Sequence, residues 1–93
     1  MSNSCSAKLK IVNRYGLHAR PATDFATVAG KFNADVRVRA NKEDADGKSV
    51  MDLMLLAATK GTTLEVECIG DDAIACLENL SALVQRGFDE EDD

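Results

Sequence analysis

The chain contains one histidine, His18, set in Gly16-Leu17-His18-Ala19-Arg20-Pro21-Ala22-Thr23, and here residue types and spacing suggest chemistry. Proline is tolerated in a helix only in the first turn, where its missing N–H would be unpaired anyway. Pro21 therefore fixes a helix start at His18 or Ala19, which puts the imidazole at or near the N-cap. The amides of Ala19 and Arg20 are then unpaired beside it, at the positive end of the helix dipole. Together with the Arg20 guanidinium they suit a doubly charged anion such as phosphate. A neutral imidazole held there is a nucleophile toward phosphorus, and a transferred phosphoryl group lands among donors already oriented to receive it. Arg14, ahead of the turn, adds long-range attraction.

Several chemistries are excluded by what the sequence lacks. It has no Gly-rich loop ending in Lys-Ser/Thr and no acidic cluster arranged for magnesium, so a phosphoryl group could be held but not taken from ATP unaided. That points to a carrier between two other proteins. Cys5, Cys68 and Cys76 show no metal spacing and no even-numbered disulfide framework, and one histidine gives a metal no partner set. Cys68 and Cys76 fall on apolar stripes and read as small buried hydrophobes in a reducing compartment. No metal and no cofactor are expected. The plainer expectation for His18 is a helix cap in an interaction module that is never phosphorylated.

Period-2 alternation predicts strands through Ala7, Leu9 and Ile11, through Val36, Val38 and Ala40, and through Leu64, Val66 and Cys68. Ala22, Phe25, Ala26 and Ala29 follow helical spacing, and Gly30 stands where that helix should stop. Residues 41–47 read as a turn and a weak edge strand. Ser49-Val50-Met51-Asp52 is a helix-start signal for a short helix over 50–58 that is apolar nearly all round. Asp71 and Asp72 form the acidic first turn of a last helix whose apolar face is Ile74, Leu77, Leu80 and Val84, ended by Gly87. Strands with one polar face imply an antiparallel sheet with helices layered on its other side, an α+β sandwich.

Gly16-Leu17-His18-Ala19-Arg20-Pro21-Ala22 resembles the active-site motif of the HPr family, the histidine-containing phosphocarriers of the bacterial phosphotransferase system. Lys48-Ser49-Val50-Met51-Asp52-Leu53-Met54 resembles the family's regulatory-serine region, and the spacing between the two motifs fits. The resemblance implies an open-faced β-sandwich: four antiparallel strands in the order 1-4-2-3 beneath three helices, βαββαβα. It implies phosphorylation of His18 on Nδ1 with Arg20 assisting, Enzyme I as donor and an EIIA-type domain as acceptor. For Ser49 it implies ATP-dependent phosphorylation by an HPr kinase/phosphorylase, compatible with a capping role. It places Val50, Met51 and Met54 in a docking patch, with Arg14, Arg20 and Lys48 as a basic rim for acidic partners. Asn13 and the ending Arg86-Gly87-Phe88-Asp89-Glu90 resemble the nitrogen-related paralogue NPr, which suggests signalling without sugar transport as the alternative.

Ninety-three residues suit one domain, here 1–88, followed by an acidic tail over 89–93 expected to be disordered. The net charge of −5 is that tail's alone. Residues 1–42 carry eight basic and two acidic side chains, net +6; residues 43–93 carry three and fourteen, net −11. The basic front half could meet an anion. A nucleic-acid binder is not expected, since the total is acidic and the aromatics are only Tyr15, Phe25, Phe32 and Phe88. No apolar run reaches the roughly 18 residues of a membrane span, and the start lacks a secretory layout. A cytoplasmic monomer is expected.

Overall fold

The computed structural model describes residues 3–90. Four strands, β1 (Ser4–Lys10), β2 (Asp35–Ala40), β3 (Glu43–Asp46) and β4 (Thr63–Ile69), alternate with helices α1 (Ala19–Gly30), α2 (Val50–Leu55) and α3 (Ala73–Gln85). The strands form one antiparallel sheet in the order β1-β4-β2-β3. This is the open-faced sandwich that the alternation and the motif resemblance imply.

The alternation decides which face is covered. Leu9, Val36, Val38, Leu64, Val66 and Cys68 are buried with Phe25, Ala29, Leu53, Leu80 and Val84 of the helices in one core. The opposite face is solvated, and its registers alternate in charge. One row runs Lys8, Glu65, Arg39, Asp44; the next runs Ser6, Glu67, Arg37, Asp46. Opposite charges on facing strands favour this register. Three of the front half's eight basic side chains, Lys8, Arg37 and Arg39, therefore lie on the sheet and not at His18.

One local expectation holds and three change: the turn and edge strand read over residues 41–47 are present, β3 forming the edge of the sheet. Residues 41–47 hold a tight hairpin: Asn41 and Lys42 have φ of 51° and 67° between the partners Ala40 and Glu43, the doubly left-handed geometry of a two-residue turn. Helix α2 ends at Leu55, not at 58. Ala57 is left-handed (φ 52°), and the Asn41 amide donates to the carbonyls of Leu56 (2.9 Å) and Ala57 (3.3 Å). Ile74 is 64% exposed, because the buried stripe of α3 is centred on Ala73, Cys76, Leu80, Leu83 and Val84. Helix α3 starts at Ala73 and has no acidic residue in its first turn, so Asp71 and Asp72 precede it, and Asp72, its N-cap, makes no side-chain cap. Its carboxylate instead accepts the amides of Asn33 and Ala34, each at 2.8 Å, which tie the start of α3 to the α1–β2 connection.

Candidate functional site: an exposed histidine at a helix N-terminus

The site begins with a turn. Gly16 is left-handed (φ 68°), and a Cβ built there would lie 2.2 Å from the Ala58 carbonyl oxygen. Only glycine meets both conditions. The next amide, that of Leu17, donates to the same Ala58 oxygen at 2.8 Å, so the stretch after α2 anchors the residue before His18.

His18 is the N-cap of α1, with an extended backbone (φ −78°, ψ −172°), and its own side chain makes no cap hydrogen bond. Pro21 has no N–H to donate, and Ala22 N–H bonds the His18 carbonyl at 3.0 Å. The first-turn amides with no partner among the described residues are thus those of Ala19 and Arg20, as the proline position implied. Arg20 is exposed and forms no ion pair among the described residues. The imidazole is 42% exposed as a side chain. Tyr15 meets it edge to face, centroids 6.1 Å apart, and the Arg14 guanidinium lies 5.2 Å from the Tyr15 ring centre.

The sequence did not lead us to expect the ring's other neighbour. Nε2 of His18 lies 3.0 Å from Oε2 and 3.3 Å from Oε1 of Glu90. The Asn13 amide holds that carboxylate, donating to Oε1 at 2.8 Å and to the Gly16 carbonyl at 2.9 Å. Asn13 is buried, and its own Oδ1 has no hydrogen-bond partner. Asp89 and Glu90 are therefore no loose tail. Asp89 ends a 3₁₀ turn (Gly87–Asp89) and pairs with Arg86 at 2.9 Å, while residues 91–93 lie outside the described residues.

Ser49 is the N-cap of α2, its hydroxyl accepting Asp52 N–H at 3.2 Å. It lies at the opposite end of α2 from Ala58, whose carbonyl accepts the amide of Leu17 next to His18. Lys48 belongs to the far side too, its ammonium donating to the Phe32 carbonyl at 2.9 Å, two residues past the end of α1. Of the expected rim, Arg14 lies over the Tyr15 ring that meets the imidazole, Arg20 follows His18 by two residues, and Lys48 reaches the other end of α1. Met51 (74% exposed) and Met54 (43%) are open to solvent. Val50 packs partly against the core, and Leu55, which the sequence reading left out of the patch, is 75% exposed. A helix of six residues buries only Leu53 fully, so its remaining apolar side chains have nowhere else to go.

Cys68 and Cys76 are buried and Cys5 half-buried, none in a disulfide. Burial pushes the Cys68 thiol up to about 12, and burial also raises that of Cys76. Both are core residues, as their stripes indicated. No group of three or more metal-ligating side chains occurs among the described residues, and no helix among them is long and apolar enough to cross a membrane.

An exposed imidazole at a helix start, next to two amides with no partner among the described residues, is an arrangement that suits a small dianion. The comparisons supply the class. A family model described as "PTS HPr component phosphorylation site" matches residues 5–86. The chain is 44% identical over 84 residues to the phosphocarrier protein HPr of Pseudomonas aeruginosa, covering 89% of this chain and 93% of that one. It is 37% identical over 83 residues to the phosphocarrier protein NPr of Shewanella violacea, covering 89% and 91%. The crystal structure of HPr-C-His from Thermoanaerobacter tengcongensis superposes with a TM-score of 0.89 at 32% identity, covering 94% of this chain and 98% of that one. The chain belongs to the HPr family and is a phosphocarrier of the phosphotransferase system.

Proposed function

We propose that His18 carries the phosphoryl group on Nδ1, receiving it from phospho-Enzyme I and passing it to an EIIA-type domain. The observation that carries this reading is the start of α1, where the exposed ring stands beside the amides of Ala19 and Arg20, which have no partner among the described residues. In transfer the Nδ1 lone pair forms the bond to phosphorus while the bond to the donor breaks. The three phosphoryl oxygens then meet the two amides and the Arg20 guanidinium. The same donors recognise the group in both directions, which suits a carrier. Met51, Met54 and Leu55 supply an apolar docking patch, Val50 its edge, and Arg14 and Arg20 complement acidic partner surfaces.

Ser49 is read as a regulatory phosphorylation site for an HPr kinase/phosphorylase. Its hydroxyl lies on the same short helix as Met51 and Met54, so a phosphate there adds negative charge to the docking patch and opposes acidic partners. Incubation with Enzyme I and phosphoenolpyruvate tests the main reading. An acid-labile, base-stable phosphate should appear on the chain, His18→Ala should abolish it, and Ser49→Ala should retain it. Label persisting on the His18→Ala chain would move the site elsewhere.

A further inference from the structure

We infer that Cys5 and Cys68 form a redox modification site: a peroxide oxidises Cys5, and a disulfide from Cys5 to Cys68 then ties β1 to β4. The site uses none of the residues placed around His18. Two observations carry it.

First, the strand register sets the two cysteines opposite each other. Facing residues of neighbouring strands project to the same side of a sheet. Here that is the side covered by the helices, where Cys68 belongs to the core and Cys5 packs against it. The Gly70 amide donates to the Asn3 carbonyl at 2.7 Å, and the Ile11 amide to the Thr62 carbonyl at 2.9 Å. Asn3 and Ile11 both stand an even number of residues from Cys5, so Cys5–Cys68 is a hydrogen-bonded pair, with Cα atoms about 5.5 Å apart. Disulfides most often span about 5.5–6 Å between Cα atoms. The strands are thus already at bridging distance.

Second, the three thiols differ in access. Cys68 and Cys76 are fully buried, and their side chains are hydrogen-bonded to each other. Cys5 is only half-buried. It lines a surface cavity of about 360 Å³ with Ile74, Leu77, Ser81, Ala82 and Gln85 of α3. Oxidation of cysteine follows exposure, and buried thiols are inert. A small oxidant therefore enters at Cys5, and the sulfur waiting across the sheet is that of Cys68.

One molecule of peroxide accounts for the reaction. The Cys5 thiolate attacks one peroxide oxygen, the O–O bond breaks, and the departing hydroxide takes up the thiol proton as water, leaving a sulfenic acid. The Cys68 sulfur then bonds to the Cys5 sulfur. Hydroxide leaves with the S–O electron pair and takes the Cys68 proton. Two thiols are oxidised and the peroxide is reduced to two waters.

The reduced chain and Cys5→Ser, their folds confirmed by amide spectra, are treated with hydrogen peroxide at high dilution and digested without reductant. The parent should lose two of its three thiols and the mass of two hydrogens. It should yield a peptide joining Cys5 to Cys68 and regain both thiols with dithiothreitol. Cys5→Ser should keep both core thiols and its mass. The oxidised parent should melt at a higher temperature than the reduced one, because the bond closes a long loop of the unfolded chain. Three intact thiols, a bond from Cys68 to Cys76, a bond between two copies, Cys5 carried on to sulfinic acid, or thiol loss in Cys5→Ser would each overturn the proposal. A lower melting temperature on oxidation would show that the register does not accept the bond and would overturn it too.

Discussion

At the scale of single residues, the site depends on positions where one side chain, or none, can stand. Gly16 is the sharpest case: a methyl group would drive into the Ala58 carbonyl at 2.2 Å while the backbone stays left-handed. Gly16→Ala should destabilise the fold by more than about 1 kcal/mol, read from denaturant unfolding, since alanine is unfavourable wherever φ is positive and here also clashes. Because Leu17 bonds the same carbonyl, the variant should also slow phosphorylation of His18 in the Enzyme I assay. Gly16 was legible in the sequence only as the first residue of the histidine motif. The reason it must be glycine was not, since Ala58 lies 42 positions further on and no local pattern links the two. Asn13 shows the same division. Its place before the motif could be read, but its burial and its grip on Glu90 depend on a residue 77 positions away.

At the scale of elements, ends were legible where they are set by covalent geometry and obscure where other elements set them. The start of α1 follows from the ring of Pro21 and falls at Ala19. The start of α2 follows from Ser49, whose hydroxyl caps Asp52 N–H. The reciprocal half of that signal is absent: Asp52 accepts from Asp46 N–H, while Ser49 N–H bonds the Asp46 carbonyl. Ser49→Ala should therefore cost about 1 kcal/mol, the usual worth of one N-cap, in chemical denaturation. A loss much larger than this would mean the hydroxyl does more than cap. The end of α2 was misplaced because Asn41 of the β2–β3 hairpin and Leu17 of the site loop take up the carbonyls of Leu56, Ala57 and Ala58. Apolar periodicity continues past Leu55 and carries no trace of either partner.

At the scale of the whole molecule, the sheet is held in register by its covered apolar face and its alternating charged one, and the helices by ties between distant loops. Asp72 is the clearest tie. Backbone hydrogen bonds from Asn33 and then Ala34 hold its carboxyl below the ordinary aspartate value of 3.8. A group whose folded value is depressed stabilises the fold above its unfolded value and loses that contribution as pH falls through the folded one. Asp72→Asn should therefore melt at a lower temperature than the parent chain at pH 7, and the difference should shrink as pH is taken below 3.8. An equal difference at both ends of that range would remove the carboxylate from the account.

The sequence by itself determined the strand faces, the antiparallel sandwich and a histidine at a helix start with two free amides. These follow from period-2 and 3.6-residue patterns and from one proline ring, all of which act within a few residues. Only the tertiary structure decided that Glu90 closes on His18 across 72 positions, that Lys48 reaches Phe32, and that Leu55 joins the exposed methionines. Those outcomes depend on how finished elements pack against one another. A charged or exposed residue carries no periodic signal of which distant partner it will meet.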